Sequence, residues 1–281
     1  MVLESLINPF ILKKKPWEMF IAGFFYTIIA LFLSYLVFRE VSGLLTVFLI
    51  VLATVPVLYT TIKQEEEIDL VYKREWNILK EHSKVLTFLI FLFFGITFAF
   101  VLCYIFLPSS MVDIIFSLQN KAIQDVNTHV VGKVTATGLF KGILLNNLKV
   151  FFFCLAFSFL YGIGAIFILA WNASVIATAM GNLIKTEIAL TTSSVGFSAI
   201  SSYFNIATFS FMRYMTHGIF EIASYFIAGL AGGIISIAVI KHNLDNDSVI
   251  FDATELILLS LALLVVAGVI EVYITPQLFS Y

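Results

Sequence analysis

The stretch HGIFEIASYFIAGLAGGIISIAVI, residues 217–240, decides the fold. Beyond His217 and Glu221 it carries only apolar, small or uncharged side chains over 24 residues. A helix rises about 1.5 Å per residue, and roughly 20 apolar residues cross the hydrocarbon layer of a bilayer. The segment reads as a transmembrane helix, and the chain around it has the same texture. Of 281 residues, 60% are hydrophobic and 12% charged. The mean hydropathy is +1.02. A soluble domain carries about 25% charged residues, so this chain cannot clothe a water-exposed surface. Sixteen Lys and Arg face eighteen Asp and Glu, which leaves no basic excess for nucleic acid. The two cysteines, Cys103 and Cys154, sit inside apolar runs, which excludes a disulfide framework and a cysteine zinc site.

Counting outward gives an all-α polytopic bundle with six spans: 17–38, 43–62, 85–107, 148–170, 217–240 and 254–275. The first follows Lys13, Lys14 and Lys15 but is too long for a signal-peptide core of about 7–15 residues, so it is read as retained. Residues 171–216 are apolar in patches interrupted by Asn172, Gly181, Asn182, Lys185, Glu187 and a Thr/Ser run at 191–194. They are expected to form half-helices, a re-entrant stretch covered by protein or lining a wet cavity. With the N-terminus inside, ten Lys and Arg fall on the inner side and six on the outer. Both termini are therefore expected in the cytoplasm.

Two connections have amphipathic texture. In 63–84, Ile68, Tyr72, Trp76 and Leu79 recur at helical spacing, with Asp69 one turn before Lys73. This segment should lie along the inner interface. In the outer loop 108–147, Met111, Ile115, Leu118, Ala122 and Val126 share one face. That helix would lie on lipid, dock a partner domain, or cover the mouth of the bundle. The domain division follows: 1–84 is an N-terminal hairpin with its inner segment, and 85–281 is a four-span core carrying the outer loop.

Charge inside the membrane costs at least about 2.5–3.5 kcal/mol and is usually paired or functional. Arg213, His217 and Glu221 recur every four residues and share a helical face. Ser224, Ala228 and Gly232 continue that face, while Gly268, Glu271 and Thr275, and Cys154, Ser158, Gly162 and Ala165, form similar strips. Small residues let backbones approach closely in lipid, so the three strips should face one another. Glu221 and Glu271 lie equally far from the turn centred near Asn246, which predicts that they share one depth. With Asn172 they complete a cluster, Asn172, Arg213, His217, Glu221 and Glu271, expected near the inner leaflet. Two close carboxylates in low dielectric do not both stay ionised without a cation between them. Arg213 or a charged His217 could supply it, giving a closed network that fixes helix register; the alternative is a site that binds or moves a proton, ion or head group. His217, Glu221 and Glu271 could make an N,O,O metal set. With one histidine and no residue seen to orient it, neither a metal nor a cofactor is expected. His82, His129 and His242 are read as surface residues. The sequence contains no G-x-S-x-G, H-E-x-x-H, G-x-x-x-x-G-K-[ST] or G-x-G-x-x-G motif, so no enzyme is expected.

Four ordered motifs carry a resemblance: N-N-L-K-V at 146–150, W-N-A-S-V-I-A-T-A-M-G at 171–181, H-G-I-F-E-I-A-S-Y-F-I-A-G-L-A-G-G at 217–233, and A-G-V-I-E-V-Y-I-T-P at 267–276. Over roughly 85–276 the chain resembles the stage II sporulation protein M family, whose hallmark is a His-Gly pair followed by Glu and a small-residue helix. Members often carry proline before that pair, where Thr216 stands here. The likeness marks Asn146, Asn147, Asn172, His217, Gly218, Glu221 and Glu271 as motif positions. It implies a non-catalytic membrane scaffold for envelope remodelling, as the family's namesake holds peptidoglycan-degrading partners. Its partners would be the bilayer and membrane or extracytoplasmic proteins; a homo-oligomer stays open. The alternative is a transporter or channel for an ion, lipid or small polar solute, built on the intramembrane carboxylates.

Overall fold

The computed structural model describes residues 16–69, 75–131, 135–158, 163–190, 197–240 and 247–279. The described residues form α1 (Trp17–Val37), a 3-10 turn (Arg39–Val41), α2 (Ser42–Asp69), α3 (Glu75–Phe106), α4 (Ser109–Ile115), α5 (Ser117–Val131), α6 (Ala136–Ser158), α7 (Ile163–Leu190), α8 (Phe197–Ile240), α9 (Asp247–Val269), a π-helical turn (Ile270–Ile274) and α10 (Thr275–Leu278). Seven helical segments among them are long and apolar enough to cross a membrane. Large apolar side chains such as Phe25, Leu36, Phe152 and Leu258 point outward and stay exposed, as lipid allows and water would not. The chain is an all-α polytopic membrane bundle.

The α3–α7 pair forms the central wall. On one side α1 packs along α3, with α2 against α1 and α7. On the other, α8 packs against α9, α6 and α7. Small residues set these approaches. A Cβ added to Gly95 would collide with the Phe20 carbonyl, and one added to Gly23 would stand 2.6 Å from the Leu92 carbonyl. The α1 and α3 backbones therefore touch, as close helix crossings in lipid require.

The structure replaces six spans and a re-entrant stretch with seven continuous candidate spans. Expected span 148–170 is split: its first half ends α6 at Ser158 and its second half opens α7 at Ile163. Among the described residues there are no half-helices: α7 runs unbroken to Leu190 and α8 starts at Phe197. The polar residues there do not break the helices because they bond back to their own carbonyls. Asn172 Nδ2 donates to Ile168 O at 2.9 Å, Thr178 Oγ1 to Ser174 O at 2.7 Å and Thr186 Oγ1 to Asn182 O at 2.9 Å. Lys185 lies over the Tyr104 ring at 5.4 Å, a favourable place for a cation. Nor does the chain break before His217. Thr216 keeps the backbone N–H that proline lacks and donates its hydroxyl to Met212 O at 2.6 Å. As a result α8 continues for 44 residues, about 66 Å.

The segment 63–84 is no separate interfacial helix among the described residues. Its start extends α2 to Asp69 and its end opens α3 at Glu75; Tyr72 and Lys73, and the side chains of Ile68, Trp76 and Leu79, lie outside the described residues. The outer loop becomes α4 and α5, which pack against the bundle, and the first half of α6, which belongs to a candidate span. Its buried face is Val112, Ile115, Phe116 and Gln119, while Leu118 of the expected face is exposed. Phe116 packs edge-on against Tyr104 and Phe100, with centroids at 5.0 and 6.0 Å. Gln119 Nε2 donates to Ser174 Oγ on α7 at 3.2 Å.

Candidate intramembrane polar site

Helix α8 presents Arg213, His217 and Glu221 on one face, since residues four apart stack along a helix. Helix α9 is tied to α8 by a reciprocal serine pair. Ser224 Oγ lies 2.8 Å from Ser260 O, and Ser260 Oγ donates to Ser224 O at 2.6 Å. This register leaves the Glu271 backbone further from the α8–α9 turn than that of Glu221. Helical side chains lean toward their own N-termini, so in this antiparallel pair the two glutamates lean toward each other. Glu271 also sits in the π-helical turn, whose extra residue per turn re-aims side chains and which often marks functional positions.

The result is a compact group. The ligand-capable atoms of His217, Glu221 and Glu271 all lie within 4.8 Å of one another, and each residue is half-buried. Buried Tyr225, one turn further along α8, donates its hydroxyl to Glu221 Oε1 at 2.8 Å. Thr275 Oγ1 stands 3.4 Å from His217 Nδ1. Neither Tyr225 nor Thr275 was singled out as a partner at the sequence level. Spacing alone could have found Tyr225, four residues after Glu221, and it had already put Thr275 on the strip of Glu271 without naming His217 as its partner.

Both glutamates line a cavity of about 720 Å³ between α5, α6, α7 and α8. Asn146 and Asn147 of α6, Trp171 and Asn172 of α7 and Tyr214 of α8 supply the rest of its polar and amphipathic wall. Asn146 and Asn147, expected to open a span, instead lie near the middle of α6, linked by a long side-chain contact of 3.5 Å. Asn172, expected at a span's end, lies well inside α7. Phe153 and Phe157 also line the cavity and are 56% and 41% exposed, so it reaches the flank of the bundle.

Arg213 is half-buried on α8 and does not line the cavity. Gly218 is buried with room around it: an added Cβ would meet only Met215 Cε, at 4.0 Å. Of the three small-residue strips, that of α8 meets α6, since a Cβ on Gly232 would stand 2.5 Å from Leu155 O and 2.6 Å from Ser158 Cβ. A Cβ on Gly268 would stand 3.2 Å from Phe140 of α6; Gly162 and the side chain of Ala165 lie outside the described residues.

These contacts also move the cluster. With Gly232 beside Leu155 and Gly268 beside Phe140, the glutamates stand beside the N-terminal half of α6, in a cavity shared with Ala122 and Ile123 of α5. The cluster was expected on the face opposite the 108–147 loop, and it lies on the same side. The seventh span, which reverses the direction of everything after residue 162, accounts for the change.

Comparison with known proteins agrees with this core. An uncharacterised protein of Methanocaldococcus jannaschii is 32% identical over 148 residues, covering 50% of this chain and 74% of that relative. No solved structure matches. The stage II sporulation protein M family matches residues 85–276, a stretch running from α3 through the His217, Glu221 and Glu271 positions to α10, and the chain belongs to that family.

Proposed function

We propose that this membrane protein is a non-enzymatic carrier for a small cationic solute, with Glu221 and Glu271 as the groups that balance its charge. One observation carries this reading: two carboxylates of adjoining helices converge on the wall of a cavity that reaches the surface of the bundle. A closed structural network would need a cation of its own, and Arg213 does not line the cavity that both glutamates line. The scaffold role suggested by the family's namesake rested on an apolar docking stripe in the outer loop. Ile115 of that stripe is buried, and the loop turns Val112 and Phe116 inward beside it while Leu118 stays exposed, which leaves less of an apolar docking face and favours the carrier. In this reading Lys13, Lys14 and Lys15 are inside, and after seven crossings the glutamates would lie toward the outer face and the C-terminus outside.

The test uses vesicles containing the purified protein and a trapped pH dye, with proton, potassium and zinc gradients imposed in turn and zinc followed by its own indicator. Protein-dependent flux of one of these cations, abolished in Glu221→Gln and Glu271→Gln, is the expected result. Absence of flux for all three, with both variants less thermally stable than the parent, overturns the proposal in favour of a structural network.

A further inference from the structure

We propose that His217, Glu221 and Glu271 bind a single divalent transition-metal ion. The inference rests on reading the cavity as a cation site, but not on transport. Sequence spacing left this set without support because no residue was seen to hold the ligands in place. The structure supplies two. Tyr225 donates to Glu221 Oε1 at 2.8 Å, fixing that carboxylate and leaving its other oxygen free. Thr275 Oγ1 stands 3.4 Å from His217 Nδ1, orienting the imidazole and leaving the other ring nitrogen for an ion. Ligating histidines and carboxylates are commonly held by such outer hydrogen bonds. Both partners sit one helical turn or less from a ligand in space, and Thr275 directly follows the π turn that presents Glu271.

Distance and charge agree. Donor atoms about 2.1 Å from a shared ion stand at most about 4.2 Å apart. The 4.8 Å spread of the group lies within about 0.6 Å of that limit. Two carboxylates with a neutral imidazole carry two negative charges, which a dication cancels where uncompensated charge is costly. The mixed N,O,O donor set suits Zn²⁺, Fe²⁺, Co²⁺ or Mn²⁺, whereas Ca²⁺ takes six to eight oxygens. Three protein ligands leave coordination positions free, and Glu221 and Glu271 line the cavity, so those positions face a space large enough for water or a solute.

The full chain in lipid nanodiscs, stripped with a chelator, is titrated with Zn²⁺ by calorimetry and with Co²⁺ by visible absorption. One ion per chain is expected, with a cobalt spectrum typical of nitrogen and oxygen ligands. His217→Gln and Glu271→Gln should each abolish saturable binding. Thr275→Val and Tyr225→Phe keep all three ligands and should weaken it about tenfold or more. No saturable binding by a chain that still unfolds cooperatively overturns the inference, as does binding indifferent to His217→Gln and Glu271→Gln. Proton or potassium flux without metal binding leaves the carrier standing and removes the metal. Tight one-to-one binding without flux of any cation keeps the metal and removes the carrier.

Discussion

Where α1 crosses α3, Gly23 and Gly95 bring backbone against backbone. Where α8 meets α6, Gly232 lies against Leu155 and Ser158 in the same way. The polar groups beside the two crossings differ. In the α1–α3 half they are short hydroxyls that bond to carbonyls four residues back: Thr27 to Gly23, Thr54 to Ile50 and Thr97 to Phe93. Ser34 and Thr46 meet each other at 2.6 Å. All of these are buried and none carries charge. In the α6–α9 half, an imidazole and two carboxylates stand half-buried beside a cavity. Close packing by small residues is common to both halves and serves assembly. Charge beside an open volume occurs in one, where it costs stability that selection for packing alone would have removed.

That contrast can be broken most severely at the first crossing. Gly95→Leu should destabilise the chain by about 3 kcal/mol or more, because overpacking against the fixed Phe20 carbonyl cannot relax by side-chain rotation. Thermal unfolding in detergent checks it, and cation binding by the surviving folded fraction should be unchanged. Gly232→Ala should cost about 1–3 kcal/mol by pushing α6 from α8. Unlike the first change it should also alter binding, since Asn146, Asn147 and Val150 of α6 line the cavity. An equal effect of both glycine variants on binding would erase the distinction between the halves. A smaller effect belongs to the serine pair. A double-mutant cycle on Ser224→Ala and Ser260→Ala should give a coupling of about 0.6 kcal/mol, rising to ~1.7 at most, as interhelical hydrogen bonds in membranes do. The same cycle on Ser34→Ala and Thr46→Ala should fall at or below about 0.6 kcal/mol, because each hydroxyl keeps a carbonyl of its own helix, Ser34 with Leu31 and Thr46 with Ser42.

Much of this was legible in the sequence, for reasons that also explain the failures. Spans 17–38, 43–62 and 85–107 are unbroken apolar runs with charged flanks, so length alone placed them. The i, i+4 spacing of His217 and Glu221 fixed their shared face, and the hairpin symmetry about Asn246 brought Glu271 to meet them, although the serine register shows that leaning side chains complete the approach. Residues 148–216 were misread because hydropathy cannot see hydrogen bonds. It took Asn172 as an interruption, whereas its amide is satisfied within its own helix. It took Gly162 as a packing residue within one span, whereas described helix resumes only at Ile163. That one missed boundary changed the number of spans, the side on which the cluster lies and the place of Asn146, Asn147 and Asn172. Periodicity put Arg213 on the face of His217 and Glu221, and a face gives no distance; Arg213 does not line the cavity.

The central claim is that the acidic pair serves a cation and not the fold, and unfolding temperature measured beside cation binding on Glu271→Gln tests it most directly. Removing a charge whose burial costs about 2.5–3.5 kcal/mol should leave the cation-free protein as stable as before or more so, while binding is lost. A variant that unfolds several degrees earlier than the cation-free parent, with binding intact, would contradict the account.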